Sequence, residues 1–180
     1  MRSPDASLTQ HLPPHPDLWL PTLRRYLLFA AGANLVWETL HLPLYTIWKE
    51  GTISELAFAA VHCTGGDILI ALSSLVLALV LVGDGRWPVK RYVAVATLTI
   101  VFGLGYTIFS EWLNIVVRQS WAYSELMPVI PVIDAGLSPV AQWIVLPVAG
   151  FWFARRPLRN GSKSPAVDPQ IVPLRSQSHV

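Results

Sequence analysis

The sequence predicts an all-α, polytopic membrane protein: a four-transmembrane-helix bundle between two disordered polar tails. Three observations predict it. Hydrophobic residues make up 53% of the 180 and charged residues only 13%, about half the charged share of an average soluble domain. Four apolar runs are each long enough to cross about 30 Å of hydrocarbon at about 1.5 Å per residue. The runs are also continuous. They neither alternate as barrel strands do nor carry the polar stripes of a soluble bundle.

Residues 1–22 are polar and hold Pro4, Pro13, Pro14, Pro16 and Pro21, so they read as a disordered tail. They lack the apolar core and small-residue cleavage site of a signal peptide. The transmembrane domain covers 23–156. Arg24 and Arg25 precede the first span, 26–48, in which Pro43 removes a helix hydrogen bond and predicts a kink. The second span, 56–82, carries no charge from Ile68 onward, and a hydrophilic turn at 83–88 separates it from the third, 92–117. The loop 118–136 is apolar but broken by Pro128 and Pro131. It reads either as a segment lying on the interface, anchored by Trp121 and Tyr123, or as a lid over a cavity. The fourth span, 137–154, ends at Arg155 and Arg156, and the proline-containing tail 157–180 is again polar.

Lysine and arginine set the orientation. With both termini on one side, that side holds Arg2, Arg24, Arg25, Arg86, Lys90, Arg91, Arg155, Arg156, Arg159, Lys163 and Arg175, against Lys49 and Arg118 on the other. Eleven against two predicts cytoplasmic termini. Eight tryptophans suit a protein with two membrane–water interfaces.

Several function classes lack support. The single cysteine, Cys63, excludes an internal disulfide framework and a cysteine-rich metal site. A net charge of +2 without a basic stripe argues against a nucleic-acid partner. Walker A, GxSxG, GxGxxG and CxxC patterns are absent from the sequence.

Five ionisable residues fall inside spans: Glu38, His41, His62, Asp67 and Glu111. Such groups cost several kcal/mol in a bilayer and mark functional sites by default. Asn34, Trp37, Glu38 and His41 share one helical face, and Thr107, Ser110, Glu111, Asn114 and Arg118 share another. Counted from the expected outer ends, His41, His62 and Glu111 lie about 10 Å deep, with Glu38 and Asp67 at roughly 15–18 Å. Gln142 would lie just above these two. The depths predict one cavity in the outer half of the bundle.

Different chemistries fit that set. Glu38-x-x-His41 with His62 and Glu111 offers four nitrogen and oxygen ligands to a divalent metal. His41 and His62 at equal depth also suit the axial positions of a haem. Alternatively Glu38, Asp67 or Glu111 acts as a metal-free catalytic acid or base on a lipid-like molecule, walled by Trp37, Tyr106 and Trp112. A proton path is disfavoured by the apolar cytoplasmic half. In a further reading the chain is an accessory subunit or oligomer whose polar groups join helices within a membrane complex. Gly103 and Gly105 read as a packing notch.

At Asn34-Leu35-Val36-Trp37-Glu38, His62-Cys63-Thr64-Gly65-Gly66-Asp67 and Ser110-Glu111-Trp112-Leu113-Asn114, the chain resembles small bacterial four-span inner-membrane proteins of unassigned function. The resemblance covers residues 24–155. It implies a bacterial inner membrane and assigns no activity.

Overall fold

The computed structural model describes residues 18–156; of the tails expected at 1–22 and 157–180, residues 1–17 and 157–180 lie outside them. Four long helices dominate: α1 (Trp19–His41), α3 (Ile53–Val82), α4 (Tyr92–Trp112) and α5 (Leu137–Arg155). The short α2 (Ile47–Glu50) lies between α1 and α3. Of these, α3, α4 with its continuation to Val117, and α5 are long and apolar enough to cross a membrane. The sequence expectation included the first run as well, but Arg24, Arg25, Asn34 and Glu38 make α1 the most polar of the four.

The boundaries of the second to fourth runs lie within a few residues of those expected. The first differs at both ends. α1 begins at Trp19, so residues 19–22 are helical rather than part of a tail. It stops at His41, seven residues short of the expected end, and the chain turns through a 3-10 segment, Leu42–Leu44, with Pro43 in its first turn. Pro43 has no N–H to continue the ladder and its ring crowds the preceding turn, so the chain turns where a kink was expected. α3 starts earlier than expected, at Ile53, because Thr52 and Glu55 form a capping box: Glu55 N–H donates to Thr52 Oγ1 at 3.3 Å and Thr52 N–H to Glu55 Oε2 at 2.7 Å. α4 ends in one wide, π-helical turn, Leu113–Val117.

α1 packs against α3 and α5, and α4 packs against the same two, so α1 and α4 stand diagonally opposite. Inward positions recur every three or four residues, as at Tyr26, Ala30, Asn34, Glu38 and His41 of α1, and Val95, Thr99, Gly103, Thr107 and Glu111 of α4. Small residues at Ala60, Thr64, Ala71, Ser74 and Ala78 let α3 approach its neighbours closely. Gly103 allows a close contact: a Cβ there would land on the Trp143 ring of α5. The notch expected at Gly103 is therefore real, whereas Gly105 faces open space.

The interior is divided along the helix axes. One half is apolar, built from Tyr26, Leu75, Val95 and Phe151 with their neighbours. The other half buries Asn34, Glu38, His41, Thr64, Asp67, Thr107, Glu111 and Gln142. Outward positions are apolar on every long helix, as at Leu40, Phe58, Val80, Val101 and Trp152. Between α4 and α5 the chain forms a minimal antiparallel pair, β1 (Val129–Ile130) and β2 (Ala135–Gly136).

Candidate functional site

Alternating helix direction gathers the polar half. The ends of α1 and α4 and the starts of α3 and α5 all lie there, so residues far apart in sequence meet at one level. Asn34, Glu38 and His41 descend one face of α1. The Asn34 side-chain amide donates to Ala30 O at 2.8 Å, which turns its carbonyl toward α5. There the Gln142 amide nitrogen donates to three oxygens: Asn34 Oδ1 at 2.8 Å, Glu38 Oε1 at 2.9 Å and Asp67 Oδ2 at 3.0 Å. An amide nitrogen carries two hydrogens, so three acceptors, two on α1 and one on α3, share them. Gln142 therefore ties α1, α3 and α5 through one atom, and it is 2% exposed. A void with about 10 Å³ of room for a water centre lies beside it, between Asn34, Ala71 and Trp143.

His41 is held through both ring nitrogens. Nε2 lies 3.0 Å from Glu38 Oε2 and Nδ1 lies 3.1 Å from Ser138 Oγ, in the first turn of α5. Trp37 Nε1–H, which can only donate, reaches the same Ser138 Oγ at 3.2 Å. Which ring nitrogen carries hydrogen decides the direction of both contacts. With the neutral imidazole proton on Nε2, His41 donates to Glu38, and Ser138 donates its hydroxyl hydrogen to Nδ1 while accepting from Trp37. The other tautomer would set an imidazole lone pair against a carboxylate oxygen.

Glu111 forms a second centre. The phenol of Tyr123 donates to its Oε2 at 2.5 Å and that of Tyr45 at 3.4 Å. Gly136 N–H in turn donates to the Tyr123 oxygen at 2.7 Å. Burial, and then its bond to Glu111, push the Tyr123 phenol above its ordinary pKa, so it stays protonated as a donor. Tyr45 links the two centres, its ring standing edge-on to His41 at 5.3 Å.

The connections above these centres are joined. Thr46 N–H donates to Ala122 O at 3.0 Å, Ser124 N–H to Leu44 O at 2.9 Å, and Ser124 Oγ to Pro43 O at 3.0 Å. Of the two readings of the loop 118–136, the interfacial one assigned Tyr123 to the surface. Its hydroxyl instead turns inward onto Glu111.

Four of the five ionisable residues thus lie in the polar half, and three of these, Glu38, His41 and Asp67, share one hydrogen-bonded network. His62 does not join them. It is exposed, stacked on exposed Phe58 at 5.3 Å. Its position is two residues from both Ala60 and Thr64, which face inward, and that step of about 200° turns it outward. The proposed metal set Glu38, His41, His62 and Glu111 is therefore not assembled. Among the described residues no group of three or more His, Cys, Asp and Glu side chains is placed to hold a metal ion. Both nitrogens of His41 already have partners, and Glu111 is held by two phenols. The pairing of His41 with His62 across a haem fails on the same outward turn. Tyr106 and Trp112 are exposed and wall nothing; Trp37 alone of the three expected aromatic walls touches the site.

Ser138 and Tyr45 were not among the residues singled out by sequence. Ser138 lies one turn before Gln142, which the depth argument had placed at this level, and a serine in the first turn of a helix is too common to stand out. No family model, curated protein or solved structure matches the chain.

Proposed function

We propose that the chain is a four-span inner-membrane protein with cytoplasmic termini, and that its polar half is an acid–base centre acting on a lipid-like molecule. Glu38 and His41 form the proton-accepting unit, with Asp67 and Glu111 as the flanking carboxyls. The observation that carries the reading is His41, gripped between Glu38 and Ser138 by its two nitrogens. A buried imidazole with one nitrogen on a carboxylate and the other on a hydroxyl is oriented to remove that hydroxyl's proton, and the carboxylate stabilises the imidazolium that results. Structural glue between helices needs no such directional chain. The membrane setting is supported by three apolar helices, by the outward apolar residues, and by the basic side chains Arg24, Arg25, Arg86, Lys90, Arg91, Arg155 and Arg156 at the end opposite the site.

The test is expression of the parent and of single variants, with mass spectrometry of the membrane lipids. The parent changes the lipid profile, and Glu38→Gln and His41→Ala abolish that change. His62→Ala, on the outer face, behaves like the parent. A Glu38→Gln variant as active as the parent overturns the reading and leaves the accessory-subunit alternative.

A further inference from the structure

We propose that Ser138 is a nucleophile and that the site transfers the acyl group of a long-chain ester to water. This rests on the acid–base reading above and names its substrate class.

Three independent features of the structure meet at Ser138. The first is the chain described above: His41 Nδ1 lies 3.1 Å from Ser138 Oγ and His41 Nε2 3.0 Å from Glu38 Oε2, and with the imidazole proton on Nε2 the hydroxyl donates to Nδ1. Nucleophile, base and orienting carboxylate within hydrogen-bond reach define an activated hydroxyl by geometry, whatever the order of the residues in the chain.

The second is an account of donors at the start of α5. The first four N–H groups of a helix have no partner within it. Gly136 N–H is taken by the Tyr123 oxygen and Leu137 N–H by Pro128 O at 2.7 Å. Pro139 has none to offer. The N–H of Ser138 itself is the one that remains without a partner among the described residues. A free N–H on the nucleophile, at the positive end of a helix, favours the negative oxygen that forms when a carbonyl is attacked there.

The third is a groove. Leu28, Gly32, Val36, Trp37 and Leu40 of α1, with Leu146 of α5, line an open apolar trough of about 470 Å³. Trp37 is its link to the chemistry, since its ring lines the trough while its Nε1–H bonds Ser138 Oγ. The trough carries no charged side chain, which fits an acyl chain and not a sugar or a nucleotide. Ser138 does not itself line the trough; Trp37 joins the two, and the proposed substrate lays its acyl chain in the trough with its ester end past that ring.

The reaction then balances. Ser138 Oγ bonds to the ester carbonyl carbon as His41 Nδ1 takes the hydroxyl proton, and the carbonyl π electrons move to the oxygen facing the Ser138 N–H. The oxyanion's electron pair re-forms the carbonyl as the carbon–oxygen bond to the alcohol breaks, and the departing alkoxide takes the proton from Nδ1. Water repeats the sequence on the acyl-serine. Its proton goes to Nδ1, its oxygen bonds to the carbonyl carbon, and Ser138 Oγ leaves with the proton returned. Ester and water become acid and alcohol, with no oxidant or metal required.

The experiment uses the full chain in detergent micelles. It is incubated with a long-alkyl fluorophosphonate, and in parallel with p-nitrophenyl laurate. Peptide mass spectrometry of the parent finds the phosphonyl adduct on Ser138, so the result does not depend on any variant folding. Ser138→Ala abolishes labelling, Glu38→Gln slows it at least 100-fold, and release of nitrophenol falls in parallel. A parent that stays unlabelled, or is labelled elsewhere, overturns the proposal. A Ser138→Ala variant that still alters membrane lipids while Glu38→Gln does not overturns the nucleophile and leaves the acid–base centre standing. Full activity of both variants overturns both.

Discussion

Gln142 is the residue on which the polar half depends most. Its amide nitrogen serves Asn34, Glu38 and Asp67 together. Gln142→Leu keeps the volume but strands three buried acceptors, two of them carboxyl oxygens. The expected cost is roughly 3 kcal/mol, read as a lowered unfolding midpoint in mixed micelles. An unchanged midpoint would show that water in the adjacent void replaces the amide. At this scale the sequence was partly legible. Glu38 and His41 declared themselves by spacing, since three residues along a helix return to the same face. Depth alone misplaced His62, because depth fixes the level of a residue and not the direction in which it points. Ser138 and Tyr45 were illegible because their roles come from partners on other elements.

Among elements, α4 meets α5 closely at Gly103, where the Trp143 ring occupies the space of a side chain. Gly103→Ala therefore forces the ring aside, at an expected cost of about 1–3 kcal/mol. Trp143→Leu in the same chain should recover part of it, measured as a double-mutant cycle on thermal unfolding. Additive losses would mean the two residues do not press on each other. Helices α3 to α5 were legible because long apolar runs need no partner to announce a helix. The end of α1 was not, since the apolar run continues through 42–48 while the helix does not. Pro43 decided that outcome, and a proline ends a helix or bends it according to what the following residues can bond. Here Leu44, Thr46 and Ser124 supplied bonds outside the helix.

Among the described residues, all the lysines and arginines but Lys49 and Arg118 lie at the end opposite the polar network. The proposed topology puts the connections near residues 52 and 130 on the side of the membrane opposite the basic end. Reporter fusions after each of these positions should both read periplasmic, and a cytoplasmic signal at either would reverse the orientation and the direction in which the site opens. The division of the interior was legible in outline, from which spans carried charge. The separation of Glu111 from Glu38 into two centres was not, because it depends on the phenols of Tyr45 and Tyr123, which belong to the connections.

Those connections have one more consequence. The bonds joining residues 43–46 to 122–124 make two loops into a single plate across the polar end, whereas among the described residues the trough beside Trp37 has no such cover. In the proposed setting, a solute arriving from water meets the plate, and one dissolved among the lipid tails meets Trp37. Supply is then a matter of partition into an oily sheet, with encounter governed by surface density instead of bulk concentration. Each further methylene on the ligand's chain favours that phase by roughly 0.8 kcal/mol, so chain length would tune occupancy before any contact with the protein is made.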